Sequence, residues 1–238
     1  MRIKSWMAGV GCVALIAGAA NADAISFTPS DVGKSFTVDY NGFSSGSVIS
    51  GLTGATTFTL TGTTADSYTF SYAVNNTTSA PVTGSRISGF GFNTDPNISN
   101  ASATGVFNTA GTGNVPEIGT VDVCFKSGGG TNNCAGGGGG GVALGTSANG
   151  SLTLSFASAL SSLTLSDFAL RYQSITGVDG ASSATGIGTI GSTSGGSSSG
   201  GPTDVPEPRD FALFGLAALA VLSRGRFKWS RPMVLARA

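Results

Sequence analysis

Few residues in this chain are equipped for chemistry. There is no histidine among its 238 residues, which excludes Ser-His-Asp and Cys-His machinery and His-ligated zinc. Of the cysteines Cys12, Cys124 and Cys134, the first falls in an apolar N-terminal run, so thiol chemistry rests on the other two. They lack the CxxC spacing of redox pairs, and two thiolates make an incomplete metal site. In an oxidising compartment Cys124 and Cys134 pair instead. Closing their loop of about 11 residues is worth about 2.8 kcal/mol in the chain-entropy model. Strand parity places Cys124 beside Asp122 and Lys126 on a polar face, so the bridge is expected to fasten a loop at a sheet edge, outside the core.

Carboxylates are the remaining candidates. Ten acidic residues lie between positions 25 and 208, enough for a paired-carboxylate hydrolase, but no spacing singles out two of them. Asp39-Tyr40-Asn41-Gly42 and the stretch from Asn93 to Asn97 read as oxygen-rich turns, and neither completes an EF-hand loop. Gly33-Lys34-Ser35 imitates the end of a phosphate loop, but Thr28 stands where the first glycine belongs. Gly186-Ile187-Gly188-Thr189-Ile190-Gly191 fits a dinucleotide fingerprint by letter, with no helix after it. The sequence therefore assigns no catalytic residue, no metal and no cofactor, and the chain is not expected to be an enzyme.

The elements that would carry these residues alternate with period two between Gly, Ser and Asn punctuation. Phe36, Val38 and Tyr40 share one face; so do Phe58 and Leu60, and Tyr68, Phe70, Tyr72 and Val74. Further strands are expected at 87–92, 121–125, 152–156 and 163–172. The last changes phase between Leu165 and Phe168, which a bulge near Ser166-Asp167 would repair. Eight or nine short strands in about 150 residues predict an all-β domain, a single antiparallel β-sandwich of jelly-roll or Greek-key type in preference to a barrel. Residues 177–204, rich in Gly, Ser and Thr, read as a flexible linker. Six consecutive glycines at 136–141 read as a mobile loop tethered at one end by the disulfide. The alternative is a backbone nest for an anion or a sugar.

Charge is sparse and segregated. Lys and Arg balance Asp and Glu at 12 each, and charged residues make up only 10%, against roughly 25% in ordinary domains. Between residues 25 and 208, four basic residues face the ten acidic ones, a net −6. Nucleic acid is therefore not an expected partner.

Both ends read as address labels. Arg2 and Lys4, the apolar run 7–20 and Ala22-Asp23-Ala24 predict a signal peptide over residues 1–24 with a cut before Ile25. At the other end come Val205-Pro206-Glu207-Pro208, an apolar run opening at Phe211 and closing at Leu222, and then Arg224 and Arg226. As a short C-terminal hydrophobic helix that run would span roughly 18 Å, against a hydrocarbon core of roughly 30 Å. It suits a temporary handle, with the basic cluster holding its end in the cytoplasm. The expected organisation is a signal peptide at 1–24, a β-sandwich at 25–176, a linker at 177–204, a sorting signal at 205–226 and a basic tail at 227–238.

The Pro-Glu-Pro tripeptide, apolar run and basic cluster resemble a PEP-CTERM sorting signal. The Cys124–Cys134 pair with polyglycine beside it is similar to the cistern family of PEP-CTERM proteins. The resemblance implies export and processing by a membrane protease of the exosortase type. It further implies transient inner-membrane association through 211–222, then secretion or retention in the envelope or extracellular matrix of a Gram-negative bacterium. It brings no catalytic residues. The expectation is a structural or interaction protein of an exopolysaccharide or biofilm matrix. The alternatives are a carbohydrate- or surface-binding β-sandwich module, or a carboxylate-based hydrolase.

Overall fold

A computed structural model describes residues 23–128, 134–136 and 139–194. Most of the expected signal peptide, the sorting signal with its helix, and the basic tail lie outside the described residues. The described residues form twelve strands: β1 Ile25–Phe27, β2 Ser35–Ser44, β3 Ser47–Thr63, β4 Ser67–Asn75, β5 Gly84–Asp95, β6 Asn100–Ala103, β7 Thr109–Val115, β8 Gly119–Lys126, β9 Val142–Ala143, β10 Ser147–Ser155, β11 Leu163–Thr176 and β12 Ser183–Ser194. Among the described residues the one helical element is a 3-10 turn at Pro29–Asp31.

The alternation in the sequence becomes an inside and an outside. Phe36, Val38, Tyr40, Phe58, Leu60, Tyr68, Phe70, Tyr72 and Val74 are all buried, while the Ser and Thr between them face outward. In β11 the phase change is a bulge: pairing with β5 shifts register between Ser166 and Ala169, and Asp167 takes φ +51°. Leu163, Leu165, Phe168, Leu170 and Tyr172 therefore all point inward. Ser45 and Gly46, both at positive φ, make the two-residue turn that pairs Ser44 with Ser47.

The expected pair of stacked sheets gives way to one antiparallel sheet. Its strands run β6-β10-β4-β3-β2-β12-β11-β5-β8-β7, with β1 and β9 as short additions. The end strands β6 and β7 return beside each other, so the sheet nearly closes into a barrel. Strand β12 accounts for the difference. It pairs with β2 from Ser35↔Ser194 to Phe43↔Thr185 and with β11 from Ala169↔Ile187 to Gln173↔Ser183. It is the strand that hydrogen-bonds the β2 side of the sheet to the β11 side. Residues 183–194 are thus a central stave, which corrects that part of the linker expected over 177–204; residues 195–204 lie outside the described residues.

Strand β12 escaped detection because its pattern is inverted. Ile187 points outward and is 56% exposed, whereas Ala184, Gly186 and Gly188 point inward. A Cβ at Gly188 would lie 2.7 Å from Tyr40 Cε1 and 2.8 Å from Phe168 Cβ. Small inward residues make room for aromatics from neighbouring strands, so no apolar alternation remains to be read. The same strand absorbs the false dinucleotide fingerprint.

The interior is a connected aromatic core. Phe58 on β3 stacks with Phe36 on β2 at 5.1 Å and meets Phe90 and Phe92 on β5 edge-on at 5.6 and 6.0 Å. The two Phe58 pairs with β5 tie the β2–β4 half of the wall to the β5–β11 half, each adding about 0.5–1.5 kcal/mol beyond area burial.

Candidate functional site: the disulfide strap

The residues with chemical potential meet on the outer face of β5, β11 and β12. Arg86 and Ser88 stand on β5, Arg171 and Gln173 on β11, Ser183 and Thr185 on β12. All occupy outward positions of strands whose other face fills the core. Over them fold the tip of the β7–β8 hairpin and the segment that follows β8.

Cys124 and Cys134 form a disulfide with Cα atoms 5.7 Å apart. The parity reading of Cys124 as outward is correct, but its expected place at an open sheet edge is not. Cys124 is only 2% exposed and belongs to a second apolar cluster with Val115, Val121, Cys134 and Ala169. Here the outer face is roofed by the hairpin, so an outward side chain is still buried. Gly91, the register partner of Cys124, clears the contact: a Cβ there would lie 3.0 Å from Cys124 Cβ.

Beyond the bridge, backbone carbonyls of the strap meet side-chain donors from the wall. Ala135 O accepts from Arg171 Nε at 3.1 Å and from Gln173 Nε2 at 3.0 Å. Arg171 also donates through Nη1 to Thr185 Oγ1 at 3.2 Å and through Nη2 to Ser183 Oγ at 2.9 Å. Thr185 Oγ1 in turn donates to Pro116 O at the hairpin tip, 2.7 Å away. Arg86 donates through Nη1 to Gly140 O and through Nη2 to Gln173 Oε1 at 3.0 Å. Burial pulls the Arg171 pKa down, and the Glu117 carboxylate opposes that shift.

The glycine run is therefore held at both ends. Ala135 is clamped on one side, and on the other β9 pairs Val142 with Ile87 and Ala143 with Arg86. This corrects the expectation of a loop tethered only at the disulfide. Gly136 and Gly141 have φ of +91° and +120°, and each lies against β5, Gly136 at Ser88 and Gly141 at the Ile87 carbonyl. A side chain would fit neither the conformation nor the gap. The guanidinium groups here bind strap carbonyls, which favours a structural clamp over an anion nest. Sequence spacing could not reveal this cluster, because Arg86 and Arg171 are 85 positions apart. The only available signal was that each is a charged residue on the outward parity of a core strand.

The other candidates resolve into structure. Asp39-Tyr40-Asn41-Gly42 lies inside β2, so the first expected oxygen-rich turn is a strand segment; in the second, Asn93, Thr94 and Asp95 end β5, and Pro96 and Asn97 open the connection to β6. Asp122 and Asp167 are drawn together by Asn93. Its Nδ2 donates to Asp167 Oδ2 at 2.9 Å, and its Oδ1 accepts from Asp122 N at 3.0 Å. Asp122 Oδ2 accepts from Thr94 N at 2.8 Å, so this pair ties strands together. Among the described residues no three Asp, Glu or Cys side chains cluster as a metal would need.

A second surface is rich in hydroxyls. The outer faces of β10, β4, β3 and β2 carry hydroxyls in register, with Ser151 opposite Ser71, Ser71 opposite Thr59 and Thr59 opposite Ser35. Several bond to each other: Ser35 with Thr59 at 2.6 Å, Thr37 with Thr57 at 2.8 Å, Thr69 with Thr153 at 3.0 Å. Among the described residues the exposed large apolar side chains are Val32, Val48, Val106 and Ile187, with no aromatic ring among them. Compared with known proteins, the chain matches no family model, no curated protein and no solved structure.

Proposed function

We propose that this protein is an exported structural or interaction component of the cell envelope or extracellular matrix, sorted through a PEP-CTERM-like signal and cut by a protease of the exosortase type. The observation that carries this reading is the order of Val205-Pro206-Glu207-Pro208, the apolar run 211–222, and Arg224 and Arg226. The bonded cysteine pair suits an oxidising destination. The low-charge hydroxyl face suits contact with a hydroxylated polymer such as exopolysaccharide, the partner that the sorting resemblance implies. Arg86, Arg171 and Gln173 serve the fold by clamping the strap.

The test is intact mass and both termini of the protein recovered from the native host's medium and envelope. A soluble product starting near Ile25 and ending between Pro206 and Pro208 is expected. A membrane-bound product retaining residues 211–222 would overturn the reading.

A further inference from the structure

The fold puts the first of the described residues to use. Strand β1 adds Ile25 and Phe27 to the core, and Phe27 packs against Phe36 and Phe70 with ring centroids 5.6 and 5.2 Å apart. Strand β12 runs beside β11 only as far as Ile187↔Ala169. Past that point β1 takes over the same edge of β11, with Ile25 against Leu165 and Phe27 against Leu163. The remainder of β12 pairs with β2, and its register slips between Ile190 and Ser192. At the slip Ile190 N donates to Asp23 Oδ2 at 2.8 Å. Asp23 stands two residues ahead of β1, so its carboxylate links the N-terminal strand to the stave that joins the two sides of the wall.

Two cuts fit the small-x-small pattern at the end of the expected leader. One follows Ala22-Asp23-Ala24 and leaves Ile25 first; the other follows Ala20-Asn21-Ala22 and leaves Asp23 first. Local sequence does not separate them, but the folded domain does. A cut before Ile25 discards the carboxylate that Ile190 N binds. It also places an α-ammonium on a residue whose side chain is buried, at the opening rung of β1, where a charge is costly to desolvate. A cut before Asp23 keeps a hydrogen bond to an ionised acceptor, the stronger kind. The new ammonium then sits on an exposed residue, with exposed Ala24 between it and the core.

We infer that the export cut falls between Ala22 and Asp23, and that Asp23 heads the mature chain as a latch on β12. Water hydrolyses the Ala22–Asp23 peptide bond, leaving a carboxylate on Ala22 and an α-ammonium on Asp23. The inference rests on the export reading above and moves the expected cut two residues upstream.

The experiment is N-terminal sequencing and intact mass of the protein recovered from the native host's medium and envelope, with amide exchange at Ile190 read on the same material. The expected N-terminus is Asp23. A start at Ile25 overturns the inference and leaves export standing; a chain still carrying residues 1–22 overturns both. Asp23→Ala should speed exchange at Ile190 by about tenfold, and Asp23→Asn, which keeps an acceptor oxygen, should hold it close to wild type. Asp23 is exposed, so neither variant disturbs the core. Equal exchange in wild type and Asp23→Ala overturns the latch whichever N-terminus is found.

Discussion

Gly188 and Tyr40 are register partners across β12 and β2, and the glycine stands where the phenol ring must lie. A single added methyl would meet Val38, Tyr40 and Phe168 together. The closure of the wall therefore depends on a residue with no side chain.

Gly188→Ala should destabilise the fold by about 1–3 kcal/mol through overpacking. Gly62→Ala, where a Cβ meets nothing within 4 Å, should be neutral or slightly stabilising. Urea-unfolding midpoints of the two variants check this; equal effects would remove the close-packing argument.

Arg171 joins β11, β12 and the strap through one planar fork. Arg171→Leu removes the hydrogen bonds to Ala135 O, Thr185 Oγ1 and Ser183 Oγ and should cost about 1–3 kcal/mol. Arg171→Lys should restore little, because a flexible ammonium cannot reach three separated acceptors at once. Hydrogen exchange should quicken around residues 134–136 in both variants; protection equal to wild type would show that the clamp is dispensable.

Replacing both Cys124 and Cys134 by serine should lower stability by about 2–4 kcal/mol, from loop entropy together with lost burial. Unfolding of the wild type with and without a reductant should give the same difference. A loss below 1 kcal/mol would mean that the Arg86 and Arg171 clamps alone order the strap.

The phenols of Tyr40 and Tyr172 set an alkaline limit. Burial is the main cause of their raised pKa values, well above the ordinary 10.0. A group whose folded pKa is raised contributes stability that is fully present below its unfolded pKa and is lost as pH climbs toward the folded value. Stability should therefore fall above pH 10, by up to about 1.4 kcal/mol per pH unit for each phenol. Tyr172→Phe should flatten that decline in urea midpoints measured between pH 9 and 11; an unchanged slope would refute the assignment.

The sequence by itself determined the class of fold and most of the core. Period-two alternation at Phe36–Val38–Tyr40 or Tyr68–Phe70–Tyr72–Val74 has only one physical use, a wall with one buried face. The phase slip at Ser166-Asp167 was legible for the same reason. Pairing of Cys124 with Cys134 was legible because no other cysteine follows the N-terminal run. Tertiary structure alone decided that the wall nearly closes, since β12 buries backbone and glycine against other strands' aromatics and shows no hydrophobic pattern of its own. It also decided that Cys124 is covered and that Arg86 and Arg171 meet over Ala135 and Gly140. Local sequence records which face a side chain takes, but what lies over that face depends on strands paired across more than a hundred residues.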